Sequence, residues 1–332
     1  MQAQPRSVGQ VRLGFDSYTV RASGWDAIQT LDYAAKLKLE AVQFSELPHI
    51  ARPMEKATDD GFLRQVRGHA EKLGIKIEMG TWGVCPTSHA FQPQRGSGPE
   101  QLGLAIRVAE KLGATSVRCV VGNQVERTDN GPIEKHIEAM IAVCRAVRAQ
   151  ALQAGVKIAI ENHKELRAEE MRRLVEDAGP DYVGVCLDTG NPIWVLEDPM
   201  QTLETLAPYT VTSHFRDTAI WRHQRGAQFQ WVPMGDGSIG IDAVVREFAR
   251  RCPGVTLNLE IIAGRPPDVL AYLEPAFWKG FEKVRGPDFA GFVSMVERGR
   301  PPAREQKLAP NDPQQQREDL VRSLAWLRAA AR

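Results

Sequence analysis

Eight short runs rich in Val, Ile and Phe recur along this chain, each separated from the next by a longer segment with helical spacing of its apolar residues. The runs lie at residues 11–16, 41–45, 75–80, 116–122, 156–161, 183–188, 210–215 and 255–261. Short continuous apolar runs are strands buried on both faces, and helical segments between them let successive strands lie parallel. Amphipathic stretches at 25–37, 62–73, 101–112, 133–154, 168–177, 200–206 and 243–251 supply the helices. Several end in Leu-Gly or Ala-Gly, where glycine takes the left-handed conformation that terminates a helix. Eight such units over about 260 residues predict a closed α/β fold, the (β/α)8 TIM barrel. A doubly wound open sheet competes, but no GxGxxG turn follows the first run.

The same reading divides the chain into a flexible N-terminus (1–10), a barrel (11–298) and a C-terminal extension (299–332). Past Gly264 come the aromatics Tyr272, Phe277, Trp278 and Phe281, read as the eighth helix region. A Pro-, Gln- and Arg-rich linker (299–316) follows, expected to be mobile unless another subunit covers it. Residues 317–332 read as a terminal docking helix. This helix and the aromatic segment 272–292 offer more surface than a barrel needs to cover its ends, so a homo-oligomer or a subunit of a hetero-assembly is expected.

With 332 residues, 43% of them hydrophobic, the chain can bury a large core. Lys plus Arg (42) nearly cancel Asp plus Glu (41), leaving no basic field to collect nucleic acid or anionic lipid. The five cysteines are scattered without a CxxC spacing, which fits a reducing cytoplasm. The first residues lack the apolar core of a secretory signal, and no segment approaches the roughly 18 apolar residues of a membrane span. The expectation is a soluble, cytoplasmic protein acting on a small molecule.

Catalytic groups of such a barrel stand where strands end, so ionisable residues there carry most information. The fifth run ends on Glu161, the sixth on Asp188, the seventh carries His214 and the eighth carries Glu260. Each interrupts or follows an apolar strand, where an uncompensated charge is expensive to desolvate. Neighbouring strands stand about 4.8 Å apart, so side chains from four consecutive ends can meet one cation. Three carboxylates and one imidazole suit Mn²⁺ best, with Mg²⁺, Co²⁺ or Zn²⁺ admissible.

This pattern resembles the xylose isomerase-like barrel superfamily, the sugar phosphate isomerase/epimerase group, over residues 11–264. The resemblance implies a metal held by Glu161, Asp188, His214 and Glu260, with Glu161 and Glu260 moving protons on opposite faces of a sugar. Ketohexose 3-epimerases of the group carry Glu, His and Arg where this chain has Arg167, Asn191 and Ile220, so a different substrate pose is expected. The triplet Glu161-Asn162-His163 looks like that of a branch acting on 3-oxo-glycosides, which deprotonates beside the ketone and expels the aglycone.

His163 is a candidate general acid or base, or a loop histidine bonded to backbone. Arg216 either clamps a substrate oxygen or pairs with Asp217, the pairing being the commoner arrangement. Asn191 and Trp82 complete the candidate substrate contacts, while Phe15 reads as core. The segment from Trp231 to Gly237 reads as a Gly-rich turn, and residues 218–230, with His223, as a long polar loop serving as lid or rim. The expected function is proton abstraction beside a carbonyl of a sugar or oxidised sugar, leading to isomerisation, epimerisation or β-elimination. Metal-dependent hydrolysis, as in the endonuclease IV branch, and a non-catalytic barrel subunit are the alternatives from other classes.

Overall fold

The computed structural model describes residues 11–330. The predicted flexible N-terminus and the last two residues of the predicted docking helix lie outside them. Strands β1 (Leu13–Asp16), β2 (Ala41–Phe44), β3 (Lys76–Gly83), β4 (Ser116–Val120), β5 (Lys157–Glu161), β6 (Val183–Asp188) and β7 (Thr210–His214) follow one another in parallel register. The hairpin β8 (Asp217–His223) and β9 (Gly226–Val232) comes next, and then β10 (Leu257–Leu259), which pairs with β1. Phe215 N–H donates to Asn258 O at 2.7 Å, and Glu260 N–H to Phe215 O at 3.0 Å, which joins β7 to β10 and closes the ring. All eight predicted runs are therefore strands of one barrel.

Helices cover the outside because their apolar faces match the strands' outer faces. In the helix Gly98–Leu112, for example, Leu102, Ala105, Ile106, Val108, Ala109 and Leu112 are buried. Ser97 and Glu100 close a capping box at its start, and Gly113 terminates it at φ 73°.

The barrel axis is unusually polar. Glu78 is fully buried and accepts hydrogen bonds from Lys76 Nζ, Thr256 Oγ1 and Asn258 Nδ2, each at 2.8 Å, and from Thr212 Oγ1 at 2.5 Å. Gln43 on β2, the register partner of Glu78, donates its Nε2–H to Thr212 Oγ1 at 3.0 Å. Branched aliphatic side chains usually fill such a core. Here a hydrogen-bonded column leads from the closed end up to the mouth.

One prediction needs correction. Residues 218–230 are not a long loop: they make most of the β8–β9 hairpin, whose Asp217↔Val232 to His223↔Gly226 register leaves only residues 224 and 225 in the turn. Strand β11 (Asp268–Leu270) adds to β9 antiparallel, giving a small three-stranded sheet beside the mouth. The C-terminal helix starts earlier than predicted, at Pro313, and buries Leu320, Leu324 and Leu327. Its Trp326 lies against Gly235, whose φ of 89° and lack of a side chain admit the indole. The preceding linker is tied to its own chain: Ala303 N–H donates to Asp236 O at 2.9 Å, and Arg21 to Pro310 O at 2.7 Å.

Candidate metal and substrate site

Glu161, Asp188, His214 and Glu260 converge at the mouth, each offering one ligand atom, and these atoms lie within 4.8 Å of one another. Ligands at about 2.0–2.3 Å from one ion cannot stand more than about 4.6 Å apart, so the set is within a few tenths of an ångström of that limit. His214 Nδ1 is 3.5 Å from Glu161, 4.0 Å from Asp188 and 3.2 Å from Glu260, and this buried atom has no hydrogen bond. The other ring nitrogen explains why. Gln43 uses its amide nitrogen on Thr212, so its oxygen accepts the Nε2–H of His214. That bond selects the tautomer with a bare lone pair on Nδ1, aimed at three carboxylates, as a metal-binding histidine requires.

Surrounding groups fix each carboxylate. Glu161 accepts from Asn191 Nδ2 at 2.9 Å and pairs with Arg118. Asp188 Oδ1 accepts the backbone N–H of Gly190 at 2.7 Å and of Asn191 at 2.8 Å. Its other oxygen pairs with Arg216, which reaches Glu260 as well. Asn162 locks the strand ends together, donating to Asp188 O at 2.9 Å and accepting from Asp188 N at 2.8 Å.

Burial opposes ionisation of Glu161, but Arg118 and His214 outweigh it and hold that carboxyl well below its ordinary range. Burial dominates at Asp188 and pushes it up, with Arg216 opposing. Burial would depress His214, yet the Glu161 and Asp16 carboxylates raise it well above its ordinary value, so without an ion Nδ1 takes up a proton in the place a cation would occupy. Asp16 Oδ2 stands 3.5 Å from His214 Nε2. Four carboxylates (Asp16, Glu161, Asp188, Glu260) against two guanidiniums (Arg118, Arg216) leave two negative charges, which one divalent cation balances. The residues present therefore fit such an ion. Cys186 also lies within reach of Glu161 and His214, but burial pushes its thiol up to about 11, so it keeps its proton and donates poorly.

A cavity of about 360 Å³ opens above the cluster, walled by Tyr18, Trp82 and Trp231 and reached by Arg118, Glu161, His163, Lys164, Arg216, Glu260 and Arg265. His163 donates its Nδ1–H to Gly122 O at 2.7 Å and meets the edge of Trp82, leaving Nε2 as an acceptor. Burial pushes its pKa down to about 3. The imidazole is thus held in its neutral form.

Two sequence expectations change here. Arg216 does not pair with Asp217; consecutive residues of extended backbone point to opposite sides, and Asp217 instead accepts N–H groups of Gly235 at 3.0 Å, Gly237 at 2.9 Å and Thr218 at 2.7 Å. Asn191 stands behind the carboxylates rather than at the cavity wall. Phe15 is buried in the core, edge-on to Tyr33, while Trp82 does line the cavity. Of the positions compared with the ketohexose epimerases, Arg167 pairs with Glu197 at 3.2 Å on the outside, and Ile220 is buried in β8. Neither reaches the cavity.

Sequence reasoning missed Arg118, Gln43, Lys164 and Arg265. Arg118 carried a signal, being a charge in the middle of an apolar strand, which in a closed barrel has only the axis to point toward.

A model of the family described as xylose isomerase-like TIM barrel matches residues 31–280. Among curated relatives, a 3-oxo-isoapionate decarboxylase of Pectobacterium atrosepticum is 23% identical over 224 residues, 67% of this chain and 67% of that protein. Among solved structures, 3-keto-D-glucoside 4-epimerase from E. coli superposes with TM-score 0.60 at 11% identity, over 96% of this chain and 99% of that one. The IOLI protein with a bound zinc atom gives 0.57 at 15% identity, over 86% and 95%. These structural likenesses establish the shared barrel.

Proposed function

This chain belongs to the xylose isomerase-like TIM barrel family, and from that premise we propose that it is a divalent-metal-dependent enzyme that forms an enolate beside the carbonyl of a keto sugar or oxidised sugar. The observation that carries the reading is the bare, buried Nδ1 of His214 facing Glu161, Asp188 and Glu260. A cation held there, Mn²⁺ by preference on the three-oxygen, one-nitrogen donor set, supplies Lewis-acid polarisation of the carbonyl. The relative named a decarboxylase of a 3-oxo acid and the neighbour named a 3-keto-glucoside epimerase support a carbonyl-bearing sugar as substrate.

The chain's own residues divide the remaining work. Glu161 and Glu260 come from the two ends of the four-strand arc and both line the cavity, so they flank a bound sugar and hold or accept a proton on opposite sides. Arg118 and Asn191 keep Glu161 ionised and oriented; Arg216 does the same for Asp188 and Glu260. His163 Nε2, neutral and unprotonated, accepts a substrate hydroxyl or relays its proton. Trp82 offers an apolar surface to the C–H side of the ring, while the Trp231 ring is taken up by Lys164 and Arg216.

Proton removal followed by reprotonation gives epimerisation, expulsion of a leaving group from the same enolate gives β-elimination, and loss of CO₂ from a 3-oxo acid generates the enolate directly; all three put negative charge on the carbonyl oxygen. The test is incubation of the Mn²⁺-loaded protein with ketoses and 3-oxo-glycosides in D₂O. Label at a carbon next to the carbonyl is expected; its absence from every keto sugar, with no other product, would overturn the reading. A hydrolytic multi-metal site is less well supported. The candidate metal groups among the described residues share Glu161 and His214 and so form one centre.

A further inference from the structure

The two layers of the cavity differ in charge. At the floor, Arg118 and Arg216 are clamped onto carboxylates, and one divalent cation neutralises what remains. No part of that balance calls on the rim. Yet Lys164 and Arg265 also line the cavity. Lys164 Nζ stands 4.6 Å from the Trp194 ring centre and 4.8 Å from that of Trp231, held by two indole faces that position an ammonium without cancelling its charge. Asp268 and Asp188 offset it only through space. Arg265 is exposed, its main-chain carbonyl tied to Gln230 Nε2 at 2.5 Å. Glu46, which also lines the cavity, already has Arg95 at 3.8 Å.

We propose that the substrate is an anionic sugar derivative, whose carboxylate or phosphate group lies between Lys164 and Arg265 while its carbonyl faces the floor. This names the substrate class within the keto-sugar reading and rests on it. Two cations on one side of a neutral floor select against an uncharged sugar, because their desolvation is repaid only by an anion. They also fix which end of the substrate enters first.

The test is calorimetric titration of the Mn²⁺-loaded protein with D-gluconate, D-glucitol 6-phosphate and uncharged D-glucitol. At least one anion is expected to bind about tenfold or more tightly than glucitol, the worth of one charge-assisted contact. The better of the two identifies the group. Lys164→Met with Arg265→Gln should erase the preference, and Lys164→Arg should keep it. Equal binding of all three, or no binding of either anion, overturns the proposal. So does a preference that survives the double substitution, since the anion would then sit on the floor. Failure of the keto-sugar reading is seen separately, as missing deuterium exchange in a protein that still prefers the anions.

Discussion

The floor and the rim of the cavity are both built from charged groups, yet what the floor lacks is one cation, whereas what the rim lacks is an anion. Each floor carboxylate is met by a guanidinium, an amide or a backbone N–H, and each guanidinium by a carboxylate. At the rim, Lys164 rests on indoles and Arg265 faces solvent. The contrast teaches that a buried charge paired within the fold is scaffold, whereas one held in place but unpaired is recognition surface.

The severest way to break the comparison is to empty the floor. Glu161→Gln and Glu260→Gln should each lose most bound Mn²⁺ by elemental analysis. Turnover on the identified substrate should fall by about 10³-fold or more, since Lewis-acid stabilisation is worth several kcal/mol. Asp188→Asn and His214→Ala should weaken metal retention in the same assay. Full metal occupancy in all four variants would mean that these residues are not ligands.

His163→Ala should retain Mn²⁺ and lose roughly 10²–10⁴-fold in turnover, the usual worth of a positioned proton-transfer group. Near-native turnover would leave the proton transfers to Glu161 and Glu260; loss of the metal would make His163 a ligand.

Arg216→Met separates scaffold from recognition. It strands Asp188 and Glu260 without their cation, so urea denaturation of the metal-free protein should show a loss of about 3–5 kcal/mol. Mn²⁺ should restore more stability to the variant than it adds to the native protein. Unchanged stability would place Arg216 with the substrate instead.

A smaller effect belongs to the rim. Burial, together with Arg216 and Arg265, pushes the Lys164 ammonium down to about 8, against the opposing pull of Asp268 and Asp188. The group is charged below that pH and neutral above it, so affinity for D-gluconate should decline as pH rises from 7 to 9, by about tenfold at most. A flat profile would assign the anion to the arginines.

The smallest effect is on the fold itself. Stripping the metal with a chelator should abolish activity while the circular dichroism spectrum stays the same, because a core of this size does not need the ion. Unfolding in the chelator would make the cation structural.

The four residues of the candidate metal site were legible because each ended or interrupted an apolar strand, where a charge needs an explanation. The eight barrel strands were legible from the same contrast. Their partners were harder to see. Gln43 reads as an ordinary polar residue until barrel closure turns it toward His214, and Arg216 invites pairing with its neighbour Asp217 until strand geometry sends the two apart. The β8–β9 hairpin had a period-two signal in Gln228-Phe229-Gln230-Trp231 and a glycine at its turn. The polar run from Arg222 to Arg225 obscured it.

Gly190 shows the same limit. Its φ is unexceptional, but a side chain there would strike Arg216 carbons at 2.5 Å and Trp231 at 3.0 Å, a crowding that no local pattern announces.

The small outer sheet gives the barrel a division of labour. The floor ligands all project from barrel strand ends or the residues just past them, and those strands cannot move without disturbing the whole closed ring. Trp231 rides on β9, and Arg265 lies in the segment leading to β11, so part of the rim belongs to an accessory sheet outside that ring. Exchange of the hairpin for one of another length would reshape what the cavity admits while leaving the four-residue cluster below it in place.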